Sequence, residues 1–206
     1  MVMIVKTILC SNEKQLKVST CERLLKTTVL DAQALIQAKK KQMDAIRNEI
    51  SKLVPYPLVY SALPLIRTYF HQKNLTQLLH IIIYICEVVS CNLLFMEYER
   101  EFIPEMKEAI ASLCYIGAKF SELPDLQKLR SQFSKKYGEK FIASLAECGA
   151  NKEVINLCMV PEPLVEERNK LLKEIATQFH IQWNPPMALK FGCDCGCDCA
   201  SCGCCK

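Results

Sequence analysis

Seven of the chain's 14 cysteines crowd its last fourteen residues: Cys193, Cys195, Cys197, Cys199, Cys202, Cys204 and Cys205. Cys-x-Cys spacing lets several thiolates share one soft ion, and the small residues between them let the backbone wrap around it. Zinc or copper(I) is the metal chemistry such a run could do. Two other uses fit the same residues. One is S-acylation, which clustered cysteines beside a basic protein permit. The other is no selected role, as for an inert tail or a run produced by a changed splice junction or reading frame. Prenylation fails because Gly203 stands where a CaaX motif needs its cysteine.

The remaining seven, Cys10, Cys21, Cys86, Cys91, Cys114, Cys148 and Cys158, are scattered. Met1 to Cys10 is short, holds Lys6 and lacks a small-residue cleavage site, so no signal peptide is expected. The compartment is then reducing and cytoplasmic, and the scattered cysteines read as small buried hydrophobes. His71, His80 and His180 are the whole histidine supply, and GxGxxG, GxxxxGK, HExxH and GxSxG are all missing. The sequence therefore points away from an enzyme, with no catalytic residues and no required cofactor.

Hydrophobic residues make up 50% of the 206 and charged ones 23%, which is too apolar for a disordered chain. Six glycines argue against folds built on phosphate-cradling glycine loops. The net charge of +4 is too mild to suggest nucleic acid, but its distribution is uneven. Residues 1–54 carry ten Lys or Arg against five acids, densest at Lys39-Lys40-Lys41 with Arg47 following. Lys39, Lys40, Lys41 and Arg47 are the candidate partner-binding residues. They suit acidic lipid headgroups or an acidic partner helix, or else simply line a solvated face.

These basic residues must ride on a helix. From about Glu13 to Leu53 there is no proline or glycine. Leu25, Val29, Ala32, Ile36, Met43, Ile46, Ile50 and Leu53 follow steps of four and three, with Lys39 filling the missing position. Such a seam predicts an antiparallel partner helix. Pro55 and Pro57 make the turn, and a second long helix is expected over roughly Leu65 to Tyr98. Its centre, Leu78 to Met96, is apolar enough to raise the question of a membrane span. Eleven Leu, Ile, Val and Phe there contribute ~−5 kcal/mol of insertion energy and Glu87 costs ~3. With His80, Ser90 and Asn92 removing most of the rest, a buried bundle helix is the better reading.

Pro104 opens a third helix. Ser121 is expected to cap a fourth that starts at Pro124, and Gly138 separates it from a short helix over Phe141 to Ala146. Gly149 to Pro163 reads as a loop, and Pro163 begins a last helix that ends before Trp183-Asn184-Pro185. No strand pattern appears, so the fold class is all-α, a long antiparallel hairpin with shorter helices packed beside it. The organisation is an N-terminal segment over 1–12, a helical domain over 13–185 and a cysteine-rich disordered tail over 186–206.

Phe120-Ser121-Glu122-Leu123-Pro124-Asp125-Leu126-Gln127-Lys128-Leu129-Arg130, followed by Phe133 and Lys136-Tyr137-Gly138, resembles a signature of the increased-sodium-tolerance (IST) family of ESCRT-III-related regulators. Glu108 to Leu113 with Ala118 and Phe120, Leu171 to Trp183, and Leu75 to Cys86 resemble further family stretches. Together they span about Ser19 to Pro185.

The resemblance implies an ESCRT-III-like helical core and a non-enzymatic adaptor in multivesicular-body sorting, peripheral on endosomes. Its implied partners are ESCRT-III subunits of the CHMP-one type and the Vps-four ATPase, with an acidic membrane surface as a possible third. Two departures stand out. Where the family has a glycine turn and a polar, Arg-rich stretch, Pro57 to Leu65 is apolar and Arg67 is the nearest basic residue. Where many members carry a helix that docks into the ATPase's MIT domains, this sequence carries the cysteine run, so engagement of Vps-four is expected to be indirect. The alternative function read from that run is metal binding, of zinc or copper, on a helical scaffold.

Overall fold

The computed structural model describes residues 16–55, 58–98 and 104–183. The first helix, α1, spans Val18–Leu53, 36 residues without a glycine or proline and roughly 54 Å long. Its seam is as spaced in the sequence. Leu25, Ala32, Ile36 and Ile50 are buried, and Lys39 occupies its place among them at 8% exposure. A 3₁₀ turn over Leu58–Ala62 leads into α2, Leu63–Tyr98, in which Pro64 stands in the first turn, where its missing N–H costs nothing.

The remaining helices are short: α3 (Pro104–Lys119), α4 (Pro124–Tyr137), α5 (Glu139–Gly149), α6 (Lys152–Cys158) and α7 (Val165–Gln178). Several differ from the sequence reading, α5 among them, which runs over Glu139–Gly149 rather than from Phe141 to Ala146. The stretch after Gly149 is not all loop, because Asn151 starts α6 by accepting the Glu153 N–H at 2.8 Å. The last helix begins at Val165, two residues beyond Pro163, with the Leu164 N–H donating to Glu167 Oε2 at 2.9 Å. Nor does Ser121 cap α4. Leu123 holds that position without a side-chain bond, and Pro124 supplies the start.

The chain divides into two compact units. One comprises residues up to Ala32 with Ile82–Val154. Here the second half of α2 buries Ile82, Ile85, Cys86, Val89, Leu93 and Met96, while α3, α4 and α5 pack on one another. Gly117 of α3 leaves room for α4, since a Cβ there would lie 3.0 Å from the Leu126 backbone. Gly138, at φ +94°, makes the corner between α4 and α5.

The other unit comprises Gln33–Ile81 with the residues from Ile155 onward. Its core joins Ile50 and Val54 of α1, Val59 and Ala62 of the turn, and Leu63, Ile66 and Phe70 of α2 to Leu171, Leu172, Ile175 and Ala176 of α7. The apolar hairpin tip noted in the sequence thus has a structural cause, because Val59, Ala62 and Leu63 lie under α7. By length and composition α2 could cross a membrane. Its inner side is spent on protein contacts in both units.

Candidate partner-binding surfaces

The four basic residues singled out in the sequence do not share a surface. Lys39 is buried in the α1 seam, whereas Lys40 and Lys41 are exposed. Arg47 is tied down within its own unit: Nη2 and Nε donate to Gln178 Oε1 at 2.7 and 3.2 Å, Glu174 lies 3.9 Å away, and the guanidinium sits 5.9 Å from the Tyr69 ring centre. Its first role is to clamp α7 to the hairpin. Arg67 likewise pairs with Glu162 at 2.9 Å. The basic side of α1 that faces solvent consists of Arg23, Lys26, Lys40 and Lys41, with Lys52 held by Glu49 at 2.7 Å.

The Leu123-to-Gly138 signature is structural. Leu123, Leu126, Leu129 and Phe133 are buried, Asp125 holds Lys128 at 2.7 Å, and Arg130 reaches Glu139 at 3.2 Å. Lys136 runs to the end of α2 and donates to the backbone carbonyls of Met96 and Glu97, the latter at 2.8 Å. Burial lowers the Lys136 pKa, with Glu97 opposing the shift. Burial, with Cys21 adding to it, raises the Tyr137 pKa to about 12.

Of the scattered cysteines, Cys21, Cys86 and Cys114 fit the expectation of buried hydrophobes. Burial pushes their thiols up to about 11, 12 and 12, which keeps them protonated and inert. Cys91 and Cys148 depart from it, being exposed, and Cys158 is half-buried. Cys10 and the candidate metal ligands Cys193 to Cys205 lie outside the described residues. Among the described residues no cluster of His, Cys, Asp and Glu could hold a metal ion.

Among the described residues, two of the clefts are shallow. One, of about 360 Å³, lies between α3, α4 and α5, and its Arg130 and Glu139 are engaged with each other. The other, of about 160 Å³, lies beside Tyr69, Lys73 and Glu167. The first cleft holds that Arg–Glu pair and two serines, the second two lysines and two glutamates, and no cysteine or histidine lines either of them.

Sequence reasoning missed one surface. The outer face of α2 exposes Tyr84 (66%), Leu94 (65%), Phe95 (50%) and Tyr98 (81%), with Cys91 also exposed among them. At 100° per residue these fall within one stripe.

The class so defined is an all-α protein built on two long helices with shorter helices packed beside them. More narrowly, the chain belongs to the Ist1 family, described as regulators of Vps4 activity in the MVB pathway, whose sequence pattern matches residues 23–182. An IST1-like protein of Dictyostelium discoideum is 26% identical over 152 residues. That match covers 70% of this chain and 41% of the relative, so the chain spans under half of the relative's length. The fold is similar to the crystal structure of the S. cerevisiae Ist1 N-terminal domain in complex with a Did2 MIM motif. The TM-score is 0.75 at 19% sequence identity, over 81% of this chain and 94% of that one.

Proposed function

We propose that this protein acts without catalysis in multivesicular-body sorting, binding an ESCRT-III subunit of the CHMP-one type and through it modulating the Vps4 ATPase at the endosomal surface. The observation that supports this most strongly is the family match from residue 23 to 182, across nearly all of the described helices. The similar yeast domain was crystallised in complex with a Did2 MIM motif, which supports reading the partner as an ESCRT-III-type subunit. Recognition would set an amphipathic partner helix against a helix face, with Lys40 and Lys41 of α1 drawing in acidic side chains or headgroups.

The test is binding of the full chain to a purified CHMP-one-type subunit and to its isolated MIM-motif peptide. Binding in the micromolar range, weakened by added salt and by Lys40→Glu with Lys41→Glu, is the expected result. Absence of binding to both probes at micromolar concentration overturns the reading.

A further inference from the structure

The apolar stripe on α2 is symmetric about one residue. Cys91 stands seven positions after Tyr84 and seven before Tyr98, Val88 and Leu94 lie three to either side of it, and Glu87 and Phe95 lie four to either side. Helix neighbours recur at three, four and seven, so all seven residues occupy one band of the surface. A second α2 running antiparallel across this band would set Cys91 against Cys91, Tyr84 against Tyr98, Val88 against Leu94 and Glu87 against Phe95. Apart from Glu87 facing Phe95, the band would meet itself apolar on apolar and thiol on thiol, an isologous contact of the kind a two-fold axis makes.

Its size is sufficient. With aromatic side chains carrying ~150–250 Å² each, the exposed parts of Tyr84, Leu94, Phe95 and Tyr98 come to roughly 500 Å². Two copies would cover roughly 1,000 Å², the lower edge for a specific interface. A monomer's largest apolar patch is commonly of the size seen here and often functional.

We infer that this face of α2 pairs with the same face of a second copy of the chain, antiparallel and centred on Cys91, giving a weak reversible dimer. The inference does not depend on the proposed ESCRT-III partner, because its readout is self-association of the protein alone. Glu87 opposite Phe95 gives it a charge-swap test.

Sedimentation of the full chain in reducing buffer, over two decades of concentration, should show a monomer–dimer equilibrium. Phe95→Glu sets like charges against each other and should weaken dimerisation about tenfold or more, whereas Phe95→Lys, facing Glu87, should preserve it. The double variant Glu87→Lys with Phe95→Glu should restore it. Phe95 is half exposed, so circular dichroism should show these variants folded. A short bis-maleimide should link Cys91 to Cys91 in the dimer, read by peptide mapping. A chain that stays monomeric throughout overturns the inference, including the case where the stripe instead takes a partner helix or a lipid surface. So does a dimer indifferent to position 95 or lacking the Cys91 cross-link.

Discussion

Lys136 Nζ donates to the backbone carbonyl oxygen of Glu97 at 2.8 Å, and with its second bond to the Met96 carbonyl it caps the C-terminal end of α2 from α4. Helix C-termini leave carbonyls without partners and carry partial negative charge, so an ammonium is the fitting cap. The Tyr137 hydroxyl adds a longer bond, 3.4 Å, to the Met96 carbonyl. The Lys-Tyr-Gly end of the family-like signature is thereby a clasp between two helices. Lys136→Met should lower unfolding stability by about 1–2 kcal/mol, measured by urea titration, and Lys136→Arg should recover part of it.

Stability should fall in mild alkali. A thiol held above its ordinary value keeps its proton in the folded chain where the unfolded chain has lost it. Burial holds Cys86 near 12, with Glu87 adding, and Cys114 near 12, with Glu139 adding and Arg130 opposing. Between pH 9.0 and about 12 the folded state therefore binds more protons, and stability declines as pH rises. Each of these two thiols contributes a slope of up to ~1.4 kcal/mol per pH unit. Lys136, lowered from 10.5, works in the opposite sense but is one group against several. Urea midpoints across this range should show the decline, and Cys86→Ala should flatten the slope. A pH-independent midpoint would contradict the burial of both thiols.

Thiol labelling should separate five of the six described cysteines into two classes, with half-buried Cys158 between them. Cys91 and Cys148 are exposed and should react with a maleimide at close to the rate of a free thiol. Cys21, Cys86 and Cys114 should react only as fast as the protein opens, slower by orders of magnitude. Timed alkylation with peptide mapping reads both classes in one experiment, and rapid labelling of Cys86 would count against the packing of α2.

Gly117→Ala should cost about 1–3 kcal/mol, because the added methyl meets Leu126 backbone that cannot move aside without shifting α4. Gly138→Ala has open space around it but sits at φ +94°, and should cost about 1 kcal/mol through backbone strain alone. Thermal unfolding of the two variants distinguishes a packing defect from a conformational one.

The α1 seam was legible because its period is strict, and it even allotted Lys39 a buried position that the same residue's charge argued against. Helix starts carried by prolines at 104 and 124 were legible too, since a fixed φ and a missing donor act locally. The helix α6 was not, being seven residues long with only Asn151 to announce it. The stripe on α2 escaped for the opposite reason. Where Ile82, Ile85, Val89 and Leu93 already fill one side with apolar residues, Tyr84, Leu94 and Phe95 on the other add no periodicity, and the whole stretch reads as core. Arg47 looked like surface charge because its partners, Gln178 and Glu174, are more than a hundred residues away.

That distance makes Arg47 and Ile175 a matched pair of probes for α7. Ile175 is fully buried in the core that α7 shares with the hairpin tip, so Ile175→Ala should cost about 2–5 kcal/mol. Arg47→Ala removes two bonds to the one Gln178 Oε1 and a cation–π contact with Tyr69, partly exposed interactions that together should cost about 1–2 kcal/mol. Hydrogen exchange adds where the loss is felt. If α7 opens as a local unit, both variants should speed exchange of the α7 amides more than those of α3 and α4, whose packing lies in the other unit. Equal acceleration in all three helices would mean that the protein unfolds as one, and that α7 does not detach from the hairpin tip ahead of the rest.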